Sequence, residues 1–269
     1  MTTAAELFLR GIRDHRRALA AWCGSIVAYV GLIVAIFPSI EDSPEFDELF
    51  ESYPEVLKSL FGIVEGGSLT SGPGYLDAEL FSFMLPLFVL VLAIGSGART
   101  FAGEEDAGRL ELVLSYPVRR RDAVLAKGLA AGTEVLLLSV AAGLALLVLD
   151  PLVGLDLSTS RIGSAVGTLI ALGLLHGWLA LSVGAATSSR ALAIGVPAAL
   201  AASGYLVNGL HEVAGWLDPF RFLSPFWLIG PSPLQGGADP VGMLVVVVVA
   251  ILVLGAGSLL VERRDLETP

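Results

Sequence analysis

His176 and Glu134 are ionisable residues set inside long apolar runs, "GTLIALGLLHGWLALSVG" and "AKGLAAGTEVLLLSV". Ionisable groups at such positions usually face a bundle interior or an aqueous path, where they relay protons, contact a cargo or pair with one another. Asn208, on a further apolar run, adds an uncharged polar group that could line the same path. Two readings of the set follow. In one, His176 and Glu134 serve a transporter driven by an ion gradient. In the other they are structural: a neutral histidine hydrogen-bonded to a neighbouring helix, and a carboxylate two turns beyond Lys127 that is paired or water-exposed near the membrane edge.

Other chemistry lacks its residues. Neither lysine, Lys58 or Lys127, follows a glycine-rich turn, and the phosphate-binding pattern G-x-x-x-x-G-K-[ST] does not occur. There is no H-E-x-x-H and no G-x-S-x-G elbow, and the single Cys23 rules out paired thiolates. His15, His176 and His211 fall in the leader, the fourth apolar run and an outer segment, with nothing in the sequence to bring them together. The chain is therefore expected to be no enzyme by itself, with no catalytic residue and no metal site. A net charge of −10 argues against nucleic acid as a partner.

The elements that must position these groups are legible in the composition. The chain is 55% hydrophobic and 16% charged, against about 45–50% and about 25% in soluble domains. Its apolar residues come in blocks of ~20, enough to cross a hydrocarbon core about 30 Å thick. We read one all-α membrane domain, 1–269, with spans at about 18–38, 79–98, 123–149, 162–184, 191–210 and 240–260. The short "AATSSR" predicts a tight hairpin between the fourth and fifth spans. Thirteen of the sixteen Lys and Arg residues then share a face with the termini; Lys58, Arg161 and Arg221 lie opposite. By the positive-inside rule both termini are cytoplasmic.

Before the first span, Ala4, Leu7, Phe8, Ile12 and Leu19 fall near one face and Arg10, Arg13, Arg16 and Arg17 elsewhere. This predicts an interfacial helix over residues 1–17 lying on the cytoplasmic leaflet. No small-residue cleavage site follows it, so it is not read as a secretory signal. Residues 39–78 and 211–239 are extracellular in this scheme. The first segment predicts amphipathic helices broken near Pro54, with a solvated acidic face. The second, with Trp216, Phe220, Phe222, Phe226 and Trp227 interrupted by prolines, predicts short re-entrant or surface helices at the membrane interface. The pairs Gly163/Gly167 and Gly173/Gly177 mark the fourth span as one that packs closely.

Between the second and third spans, "GEEDAGRLELVLSYPVRRRDAVLAK" forms a charged cytoplasmic island, with the loop at residues 99–122. Glu104, Glu105 and Asp106 suit the first turn of a short helix, where the backbone dipole favours carboxylates. Leu110, Val113 and Leu114 form an apolar patch with Leu112 to one side, and Pro117 ends the helix. An apolar patch rimmed by charge suggests a protein partner.

This segment resembles the cytoplasmic loop after the second span of ABC type-2 exporter permeases. The pattern is carried by Glu104 or Glu105, Gly108, Leu110, Leu112, Leu114, Pro117, Val118, Arg119 and Lys127, with Arg109 where a small hydroxyl residue is usual. The outer "FLSPFWLIGPSPLQGG" resembles a segment before the last span in one branch of that family. The resemblance implies a coupling helix docking, through those residues and Arg120, on a separate ATPase subunit. It implies two ATPase copies that bind ATP and Mg, and a second permease, identical or paralogous. It also implies an elbow helix at the leader, gate helices at 211–239, surrounding lipid, and a prokaryotic plasma membrane. No cofactor belongs to this chain on that reading.

Overall fold

Apolar runs of this length have nowhere to satisfy their backbone in a bilayer except within a helix. The computed structural model describes residues 4–41, 52–60, 70–100, 119–230 and 232–263. Its helices are α1 (Ala4–Ile36), α2 (Pro38–Glu41), α3 (Glu55–Leu60), α4 (Gly72–Leu76), α5 (Met84–Thr100), α6 (Arg120–Val153), α7 (Thr159–Thr187), α8 (Arg190–Leu210), α9 (Pro225–Ile229) and α10 (Pro240–Leu260). A π-helical turn, Asp77–Phe81, joins α4 to α5, and a 3-10 turn, Asp218–Leu223, precedes α9. No strand occurs among the described residues. Among the described residues, six helical stretches are long and apolar enough to cross a membrane: Ala4–Glu41, Gly72–Thr100, Arg120–Val153, Thr159–Thr187, Arg190–Leu210 and Pro240–Leu260. The protein is an all-α, multi-pass membrane protein.

The expected interfacial helix and the first span form one uninterrupted helix. α1 carries 33 residues, about 50 Å at 1.5 Å per residue, longer than the hydrocarbon core. No proline interrupts it, and its N-terminal half has a partner along its length, since Leu7 is buried with Ala123 and Ala126 of α6. The second membrane helix likewise starts earlier than about residue 79. Ser71 caps α4 by accepting from Gly74 N at 3.2 Å, and the π turn then carries the chain into α5. Pro54 stands just before α3; much of the remaining acidic outer segment lies outside the described residues.

α7 is the hub, packing on α5, α6, α8 and α10, while α1 lies along α6. The apolar stretches of the second and fourth membrane helices are each 67% buried, against 22–33% for the other four, so α5 and α7 form the interior pair. Their crossing uses glycine on both sides. A Cβ at Gly97 would lie 2.2 Å from Gly177 O, and one at Gly173 would lie 2.7 Å from a Val89 methyl of α5. Of the two glycine pairs in the fourth span, Gly173/Gly177 makes this contact, whereas Gly163 has open space around it. The α7–α8 hairpin turns on Ser188 in the left-handed region (φ 56°), with Ser189 capping α8.

Trp178 of α7 donates its indole N–H to Gly128 O of α6 at 2.8 Å, within a cluster that includes Val124, Leu181 and Leu254. Trp178→Phe is expected to lower stability by about 1–3 kcal/mol through the lost bond and the smaller ring. The thermal unfolding midpoint in detergent measures it, and an unchanged midpoint counts against this contact.

Candidate functional site: a buried polar cluster at the basic face

α5 ends and α6 begins at the same face of the bundle, the one that also holds the start of α1 and the end of α10. The chain between them, residues 101–118, lies outside the described residues, and with it Glu104, Glu105, Gly108, Leu110, Leu112, Leu114 and Pro117. What is described is the structure that bounds that segment. Arg119 is the exposed, extended N-cap residue of α6, and Arg120 is its half-buried first helical residue. Arg121 lies 3.8 Å from Glu262 beyond α10. Pairs this exposed contribute little.

About two to four turns deeper along α6 the polar contacts become buried. Lys127, 7% exposed, donates its ammonium to Thr100 O at 2.9 Å and so ties the start of α6 to the end of α5. Arg99 Nε is buried with no acceptor among the described residues. Glu134, 2% exposed, receives the Ser96 hydroxyl on Oε2 at 2.6 Å and faces His15 Nδ1 from Oε1 at 3.0 Å. A histidine ring nitrogen and a carboxyl oxygen at this separation share one hydrogen bond.

Glu134 therefore joins α1, α5 and α6. Of the two structural alternatives for this residue, pairing holds; it is not water-exposed. The sequence reading missed both partners. His15 falls in the segment expected to lie on the membrane surface, yet it stands three residues after Ile12 and four before Leu19, on the same apolar face. Ser96, in "AIGSGART", carried no signal beyond being a small polar residue in a span.

His176 is 1% exposed, and its Nδ1 lies 2.9 Å from Leu172 O of its own helix. This corrects the expected bond to a neighbouring helix: the i−4 carbonyl sits one turn below a helical histidine and is reached without help from another element. The Phe226 ring lies nearby and tilted, with centroids 6.5 Å apart. Asn208 is half-buried close to the other end of α8. The fold thus brings Glu134 to His15 and Ser96, and pairs His176 with its own backbone instead of with Glu134.

At the opposite face the aromatic segment is fastened at several points. Asp77, fully buried in the π turn, accepts from Leu234 N at 3.1 Å and Gln235 N at 2.9 Å. Ser224 donates to Gly204 O of α8 at 2.7 Å, and Ala238 N donates to Ser164 of α7 at 3.2 Å. Arg221 pairs with Asp218 at 2.7 Å and lies over the Phe222 and Trp227 rings at 5.0 and 5.1 Å. Trp216, Phe222 and Leu223 stay outward-facing, as expected of side chains at a membrane interface.

Among the described residues no group of His, Cys, Asp and Glu has the arrangement of a metal site. Residues 11–260 match the sequence family described as the C-terminal domain of the multidrug efflux system permease Rv1217c. Among curated proteins, none matches the chain.

Proposed function

The chain belongs to the multidrug efflux permease family, and from that premise we propose that it is the transmembrane subunit of an ATP-binding cassette exporter. Two permeases, identical or paralogous, enclose the pathway. Two separate ATPase subunits bind ATP with Mg and supply the work, so that the assembled complex, and not this chain, is the ATP-driven translocase. The basic face is cytoplasmic and the aromatic segment faces outward, because thirteen of the sixteen Lys and Arg residues lie with the termini. The complex sits in a prokaryotic plasma membrane and exports an apolar cargo of drug, antibiotic or lipid character.

The observation that carries this reading is the family match across residues 11–260, on a chain with six apolar membrane helices. The segment between α5 and α6 fits the docking role: Glu104, Glu105 and Gly108 open it, Leu110, Leu112 and Leu114 form its apolar patch, and Pro117, Arg119 and Arg120 close it against the membrane. The ion-gradient alternative draws no support from Glu134 and His176, which are engaged separately and not with each other.

Co-expression of the full chain with the ATPase encoded beside it tests the proposal. The ATPase is expected to co-purify and to hydrolyse ATP faster in the complex than alone. Leu110→Asp combined with Leu114→Asp is expected to abolish co-purification while the chain stays monodisperse in detergent. Desolvated apolar contacts at the centre of an interface each cost about 1–4 kcal/mol when lost. A complex that survives the double substitution refutes docking through this patch.

A further inference from the structure

α1 and α6 run in the same direction from the basic face, and their contacts recur in step. Leu7 is buried with Ala126. One turn on, a Cβ at Gly11 would lie 3.1 Å from the Ala130 Cβ. One turn further, His15 meets Glu134, 119 residues away in sequence, the same separation as the two pairs before it. The i, i+4 rows of both helices thus lie along one another, and small residues at Gly11 and Ala130 bring the backbones close enough for a histidine and a glutamate to bond. From this seam Glu134 also reaches Ser96 on α5. One buried carboxylate holds three helices, and two of them bound residues 101–118.

A carboxyl group at this depth carries a desolvation cost that leucine would avoid. What it gives in exchange is direction: fixed donors on two other helices set the positions of both. We propose that Glu134 is a positioning residue that locks α1 and α5 to α6, so that α1 moves with the pair bounding residues 101–118 when an ATPase subunit acts on that segment. The inference rests on the exporter reading above and adds the element that carries the motion onward. α1 then follows that segment as part of one body with α5 and α6.

The test uses the full chain with its ATPase in lipid nanodiscs and reads the ATPase rate of the complex relative to the free ATPase subunit. Glu134→Leu is expected to keep the ATPase bound and to lower its stimulation at least about fivefold. Glu134→Gln, whose amide still accepts from Ser96 and can still engage His15, is expected to stay within about twofold. A second arm replaces the bond by a covalent one. With Cys23→Ser, the pair Gly11→Cys and Ala130→Cys is close to the Cβ separation of about 3.8 Å that a disulfide needs. Oxidising that pair is expected to leave the otherwise native complex active and to restore stimulation to Glu134→Leu. The same substitutions kept reduced serve as control.

Three results overturn the proposal: undiminished stimulation in Glu134→Leu, silencing of the native complex by the cross-link, or an ATPase-binding defect in Glu134→Leu that the cross-link does not repair. The second would mean that α1 must part from α6, and the third that Glu134 serves folding alone. If the unaltered chain neither binds nor stimulates the ATPase, the exporter reading fails first, and the unaltered complex reports that by itself.

Discussion

Gly97→Val is expected to leave little or no monodisperse protein, whereas Gly95→Val, two residues earlier on α5, is expected to behave like the native chain. At Gly97 a Cβ would lie 2.2 Å from Gly177 O, 3.0 Å from Leu181 N and 3.0 Å from Ala180 Cβ; at Gly95 nothing lies within 4 Å. Two of the obstructing atoms at Gly97 are backbone, so no rotamer change relieves them, and the two most buried membrane helices must move apart. Overpacking costs about 1–3 kcal/mol in ordinary cores and more where the obstacle is rigid. In a bilayer the separated helices gain nothing by meeting elsewhere, because their association depends on close packing and hydrogen bonds, not on exclusion of water. Size-exclusion profiles in detergent compare the two variants, and equal yields would refute the close α5–α7 contact.

Asp77→Ala is expected to release the outer segment while leaving the membrane helices in place. The carboxylate is fully buried and is the acceptor for Leu234 N and Gln235 N. Without it the buried N–H of Leu234 and the part-buried N–H of Gln235 lose their partner, at about 1–3 kcal/mol for the buried one. A local loss of about 2 kcal/mol corresponds to roughly 30-fold faster opening. Hydrogen exchange at the Leu234 and Gln235 amides reads this directly, with amides in the middle of α7 as an internal reference. Asp77→Asn keeps one acceptor oxygen and is expected to fall between the two. Unchanged exchange at those amides in Asp77→Ala would show that the segment is held by Ser164 and Ser224 instead.

The architecture was legible because a membrane helix must meet its length and polarity requirements within its own sequence. Six blocks of apolar residues, "AATSSR" between the fourth and fifth, and a lopsided distribution of arginine gave the span count and grouped the ends of the helices. Boundaries shifted where a second element supplied what the sequence lacked. α1 has no break at residue 17 because α6 supports its N-terminal half from Leu7 onward. The second membrane helix gains α4 and a π turn because Asp77, polar in a sequence reading, is satisfied by the amides of a segment more than 150 residues away.

The polar site was legible only in part. Glu134 and His176 stood out as ionisable residues in apolar runs, and a structural role was already open for both. That Glu134 would find His15 and Ser96, while His176 would turn to its own helix, depends on helix register. Register is weakly written here because these spans are apolar on nearly every side, so hydrophobic periodicity says little about which face meets which neighbour. It is set instead by a few places where glycine or alanine permits close approach, as at Gly11 with Ala130 and Gly97 with Gly177.

By itself, then, the sequence determined that the chain is a six-span helical membrane protein with one basic face and a charged segment between its second and third spans. The tertiary structure decided which buried polar groups meet. A bilayer constrains each helix singly, through length and backbone satisfaction, and both are local properties. The partners of a buried carboxylate follow from how separate helices are set against one another, which no single stretch of the sequence contains.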